Sequence, residues 1–174
     1  MAEKKEKTKM TKDIVPEDFT LSLALVDALP VLFFGASMIL IGLLFRSPLF
    51  LIGALICFWA GAAKVLWKVI VVLKKKNVWW MFMQMRILMP AGFLMMILAL
   101  VLNWGRINGS ALIAAVTGLP SVIFFVIGIL GMVLMGVFAK KLDSSDVRSN
   151  WIEQATNGVA QAAIFVGILL IYVK

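Results

Sequence analysis

Residues 49–73 read LFLIGALICFWAGAAKVLWKVIVVL, between Arg46-Ser47-Pro48 and Lys74-Lys75-Lys76-Asn77. Only Lys64 and Lys68 carry charge in this run. As a helix it would measure roughly 37 Å, more than the roughly 30 Å of hydrocarbon in a bilayer. The stretch therefore predicts a transmembrane helix, with two ammonium groups where hydrophobicity alone would forbid them.

The rest of the chain repeats the pattern. Apolar runs cover about 19–45, 78–102 and 111–138, the third opening on Trp79-Trp80 and closing near Asn103-Trp104, as an aromatic belt would. The run from 111 is too long for one simple span and contains Pro120. Residues 111–117 read as a short interfacial or re-entrant piece, Gly118-Leu119-Pro120 as a break, and 120–139 as the span itself. A last segment, about 152–173, is apolar mainly in its second half. Asn150-Trp151-Ile152-Glu153 has capping-box spacing and predicts its start. The expected fold is an all-α, multi-pass transmembrane helix bundle of five spans, with four as the alternative if the last segment does not cross.

Composition agrees. Of 174 residues, 63% are hydrophobic and 15% charged, with a mean hydropathy of +1.03. Soluble domains average about 45–50% apolar and about 25% charged residues, so this excess calls for lipid as solvent. The chain has no His and a single Cys, Cys57, which excludes intramolecular disulfides, Cys/His zinc sites and His-based catalytic triads. No Gly-rich phosphate loop or metal-ligand cluster appears either. No catalytic residue, metal or cofactor is expected, and the chain reads as a non-enzyme.

Residues 1–18 form a polar Lys/Glu-rich tail ahead of a membrane domain at 19–173. The tail is too polar to order itself. It lacks the early apolar core and cleavage site of a secretory signal. Pro16-Glu17-Asp18 predicts a helix start. The net charge of +8 does not point to nucleic acid, because Lys and Arg cluster between the apolar runs. With the N-terminus inside, the inner segments hold the five tail lysines, Lys74, Lys75, Lys76, Lys140, Lys141 and Arg148, and the outer ones only Arg46, Arg106 and Lys174. The positive-inside rule then predicts a cytoplasmic N-terminus in a cell (inner) membrane. Asn108-Gly109-Ser110 matches a glycosylation sequon, a pattern frequent by chance.

The informative residues are the ionisable ones within the runs. A central charge costs about 2.5–3.5 kcal/mol even on lenient insertion scales. Counted from the cytoplasmic ends, Asp27 and Arg86 lie roughly 12 Å deep, Lys64 roughly 15 Å and Lys68 roughly 9 Å. Asn150, Gln154, Asn157 and Gln161 share one helical stripe, with Gln161 roughly 15 Å in. Asp27, Lys64, Lys68, Arg86, Asn157 and Gln161 thus form a candidate polar layer. One interpretation is structural: Asp27 pairs with Arg86 or Lys64 while Lys68 snorkels to the headgroups. The other is a cytoplasm-open cavity, whose excess of bases over one acid favours a small anion or lipid headgroup.

Smaller signals concern packing. Gly53, Cys57 and Gly61 form a small-residue stripe, and Gly128, Gly131 and Gly136 line part of the fourth span. Pro90 frees the carbonyl of Arg86, lining a pocket or merely kinking the helix. The third run holds Met81, Met83, Met85, Met89, Met95 and Met96, spread over several faces as filler in a lipid-exposed helix would be. Two function classes follow. The first is a non-enzymatic membrane component with a cytoplasm-side polar site that binds or helps move a small anion or lipid. The alternative is a structural or assembly subunit docking another membrane protein, or a second copy of itself, through its small-residue faces and buried charges.

The orientation is checked by reporter fusions. Fusions after Lys76 and Lys141 are expected to read cytoplasmic and those after Ser47 and Asn108 external, while a fusion after Lys174 decides between five spans and four. An external signal after Lys76 would overturn the orientation and the depths counted from it.

Overall fold

The computed structural model describes residues 20–142 and 147–173, and among them only helices form. They are α1 (Leu21–Leu44), α2 (Pro48–Lys74), α3 (Trp79–Met83), α4 (Met85–Leu102), α5 (Gly109–Thr117), α6 (Ser121–Lys141) and α7 (Val147–Tyr172). Five helices are long and apolar enough to cross a membrane: α1, α2, the α3–α4 pair, α6 and α7. The chain is a five-span helical bundle, which removes the four-span alternative.

Local chemistry sets the helix ends. Thr20, extended, caps α1 through its side chain, which accepts from the Leu23 N–H at 3.2 Å. The expected start at Pro16 and the polar tail lie outside the described residues. Ser47 caps α2 in the same way, accepting from Phe50 N–H at 3.4 Å, with Pro48 in the first turn. Lys75, in the left-handed region at φ 49°, stops α2. Asn108 caps α5, its side-chain oxygen accepting from Ala111 N–H at 3.1 Å, so this residue ends a turn.

Two expected boundaries change. The third run is not one helix: α3 and α4 meet at Gln84, whose carboxamide donates to the carbonyls of Ala60 (3.0 Å) and Met81 (3.1 Å). The capping box at Asn150 is not used, because α7 includes Val147 and Asn150 lies inside it.

The spans form a row in the order α6, α7, α1, α2, α4, each packed on the next, and the backbones of α4 and α6 at the two ends do not approach each other closely. Side-chain register shows the directions. Along α1, Asp27, Val31, Gly35 and Gly42 meet Lys68, Gly61, Phe58 and Leu51 of an antiparallel α2. α6 and α7 run antiparallel through Phe125 on Gly167, Gly128 on Ile164 and Gly131 on Ala160. Phe33 lies against Phe165, with ring centroids 5.8 Å apart, where α1 packs beside α7.

Small residues set how closely the row packs. Where α2 crosses α4, a Cβ on Gly53 would lie 2.7 Å from the Gly92 carbonyl oxygen, and one on Gly92 2.7 Å from that of Gly53. Cys57 fills the same crossing and donates to the Met89 carbonyl at 3.6 Å. Phe50, Ala54, Met96 and Ala99 complete this core. The expected stripe of Gly53, Cys57 and Gly61 therefore divides: its first two members face α4, and Gly61 faces Val31 of α1. Gly128 and Gly131 admit α7, whereas Gly136 has open space around it.

These contacts give a paired test. Gly92→Val drives a branched side chain into the α2 backbone and is expected to cost about 1–3 kcal/mol or more, the usual overpacking penalty. Gly136→Ala, with nothing to collide with, should leave stability unchanged or raise it by about 0.5–1 kcal/mol. Thermal unfolding in mild detergent reads both; equal midpoints for the two variants would contradict the crossing.

Candidate functional site

Residues of all five spans line a cleft of about 450 Å³. Every span contributes: Asp27, Phe34 and Met38 from α1, Cys57, Gly61 and Lys64 from α2, Met85, Met89 and Phe93 from α4, Met132 from α6, and Asn157, Gln161 and Ile164 from α7. The polar members gather toward the bundle end that carries Lys74 and Lys140. Phe34, Met38, Phe93 and Ile164 continue the cleft toward mid-span as an apolar wall.

At the polar end one charge pair is closed. Lys68 Nζ lies 2.5 Å from Asp27 Oδ2, and both side chains are under a tenth exposed. The expected partner of Asp27 was Arg86 or Lys64, with Lys68 reaching for the headgroups. The difference comes from where α1 begins. Capped at Thr20, the helix places Asp27 six residues in from Leu21, and Lys68 is six residues in from Lys74, so both sit roughly 9 Å from that end. Lys68 is buried and does not snorkel.

Arg86 is not brought into the layer. Met85 and Met89 take the inward face of α4, and Arg86, a hundred degrees round, is exposed. Its guanidinium lies 5.7 Å from the centre of the Phe82 ring, one turn nearer the helix start. This is the snorkelling geometry expected of a long cationic side chain.

Lys64, Asn157 and Gln161 do line the cleft. Lys64 makes no direct ion pair or hydrogen bond among the described residues; Asp27, Lys68 and Glu153 are the charges that act on it from farther off. Asn157 is likewise without a hydrogen-bond partner among the described residues. Gln161 donates to Met132 Sδ at 3.5 Å, a weak acceptor that a better one would displace. An ammonium and two carboxamides thus converge with donors unspent. Such an arrangement can hold an anion, because charge-assisted hydrogen bonds strengthen where water is scarce.

Sequence reasoning missed the methionine wall and Gln84. The six methionines of the third run were expected on lipid, yet none is exposed. Met81, Met85, Met89 and Met96 share a stripe with Gly92, at spacings of four, four, three and four. That periodicity was the available signal; Met83 and Met95 off the stripe hid it. Of the opening aromatics, Trp80 is exposed as a belt residue would be, while Trp79 packs on Phe82 at 5.2 Å.

What the fold and cleft define is a class: a five-span helical membrane protein with a polar-ended cleft inside its row of helices. Compared with family models, curated proteins and solved structures, the chain matches none of them.

The ion pair has a direct test. Asp27→Asn strands Lys68 in a buried site, and breaking such a pair costs about 3–5 kcal/mol. Folded yield in detergent should fall sharply, and Asp27→Asn with Lys68→Met should recover much of it. Arg86→Gln should leave the yield unchanged. Equal losses in the single and double variants would refute the pairing.

Proposed function

We propose that this protein is a non-enzymatic membrane component that binds, or helps move, a small anion or anionic lipid headgroup in the cleft, with its N-terminus in the cytoplasm of a cell membrane. One observation carries the reading: Lys64 faces the cleft beside Asn157 and Gln161, while the Asp27 carboxylate is already taken by Lys68. Intramembrane cations without a direct partner are costly and mark ligand pathways. The volume supports it, since ligand sites commonly span about 300–1,000 Å³. The excess of Lys at the Lys74 and Lys140 end supports the orientation.

The rival reading, a structural subunit that docks another membrane protein, draws on the unpaired α4 and α6 at the ends of the row. A partner helix seated there would copurify in mild detergent and exclude anions from the cleft.

Calorimetry on protein in phosphatidylcholine nanodiscs, titrated with inorganic phosphate and with a short-chain phosphatidic acid, separates the two. Lys64→Gln is expected to weaken binding about tenfold or more, the loss of one charge-assisted hydrogen bond, with the melting temperature retained. Glu153→Gln, which removes an opposing carboxylate, should tighten it. Binding insensitive to both changes, or none for either titrant, would sink the proposal.

A further inference from the structure

Two of the residues lining the cleft are also on the outside of the molecule. Phe93 of α4 is 43% exposed and Met132 of α6 is 44% exposed, although both face the internal space. They belong to α4 and α6, the two end spans, whose backbones do not approach each other closely. The cleft is therefore continuous with the outer surface through a slot between α4 and α6.

The slot opens where lipid would be. Phe93 and Met132 lie near the middle of their spans, and the outward residues beside them, Leu94 and Val133, are apolar and exposed. Water has no reason to enter from that side. A hydrocarbon chain does, because the methionines and Phe93 offer it a deformable apolar wall.

Polarity along the cleft follows that of a lipid in one leaflet. Lys64 and Asn157 lie ten residues in from Lys74 and Val147, roughly 15 Å from that end, while Phe93 and Met132 reach toward mid-span. An amphiphile entering by the slot would place its head on the ammonium and carboxamides and its chain in the slot. A bulky headgroup does not suit about 450 Å³ shared among five helices. A phosphate monoester or a carboxylate does.

We infer that the cleft takes an anionic lipid with a small headgroup directly from the bilayer, its head held by Lys64, Asn157 and Gln161 and its chain leaving between α4 and α6. This rests on the anion-site reading above and adds the source of the ligand and its route.

The test uses the full chain in phosphatidylcholine nanodiscs doped with phosphatidic acid that carries a photoreactive diazirine on its acyl chain. Adducts are mapped by mass spectrometry, with the same diazirine on phosphatidylcholine as the control. Adducts are expected at Met89, Phe93 and Met132 with the phosphatidic acid, reduced about tenfold or more by Lys64→Gln or Gln161→Leu. Phe93→Trp, which fills the slot from the α4 side away from the three anion donors, should remove the adducts at Met89 and Met132 while inorganic phosphate still binds.

If Lys64→Gln abolishes phosphate binding but lipid adducts scatter over the outer faces, the slot is wrong and the anion site stands. Adducts at the slot that ignore both headgroup and Lys64→Gln would overturn the anion site and this inference with it. Complete displacement of the lipid by inorganic phosphate at equal concentration would make a free anion the ligand and overturn the lipid.

Discussion

Hydrocarbon offers a charge neither water nor ions, so an aspartate and a lysine within the membrane must find each other or be expelled. In this protein Asp27 and Lys68 meet because α1 and α2 place them at one depth. That contact sets the register of the first helical pair, and the neighbouring contacts follow from it. With Asp27 on Lys68, Val31 falls on Gly61, the Phe58 ring on Gly35 and Leu51 on Gly42. Each of these glycines removes the side chain that would have pushed the helices apart.

The same contact leaves Lys64 its freedom. One turn farther into the membrane than Lys68, it shares a face with the paired lysine but has no acid at contact distance. The row of helices then curves so that α7 brings Asn157 and Gln161 to it from the far side. A closed ring of five would fill this space with side chains. At the ends of the row α4 is held on α2 by the Gly53–Gly92 crossing, with Phe93 also reaching Phe34 of α1, and α6 packs on α7 through Gly128 and Gly131. Gly136 of α6 looks into open space.

Gln84 adds a local device. Its carboxamide reaches the Ala60 carbonyl on α2 at the point where α3 gives way to α4. On the far side of that junction Trp67 donates to Asn77 at 3.0 Å and stacks near Phe82, with ring centroids 5.0 Å apart. The loop and the short α3 are thereby fastened to α2. The methionine stripe consequently faces inward, and Arg86 is turned outward.

The amino-acid sequence by itself determined the solvent, the first four crossings and the residues that could not be left on lipid, since hydropathy and span length act segment by segment. The stripe of Asn157 and Gln161 was legible for the same reason: it is periodic within one helix. The partner of Asp27 was not legible. It depended on the depth of Asp27 counted from Leu21, where α1 follows its Thr20 cap, and not from Phe19, a difference of about 3 Å that changes which lysine is level with the carboxylate. Nor could Arg86 be told from Met85, because the rotation of a helix about its axis is settled by what packs against it. Tertiary structure alone decided these points, and with them the open row. Depth offset and rotation are properties of pairs of helices, and no single run of residues carries them.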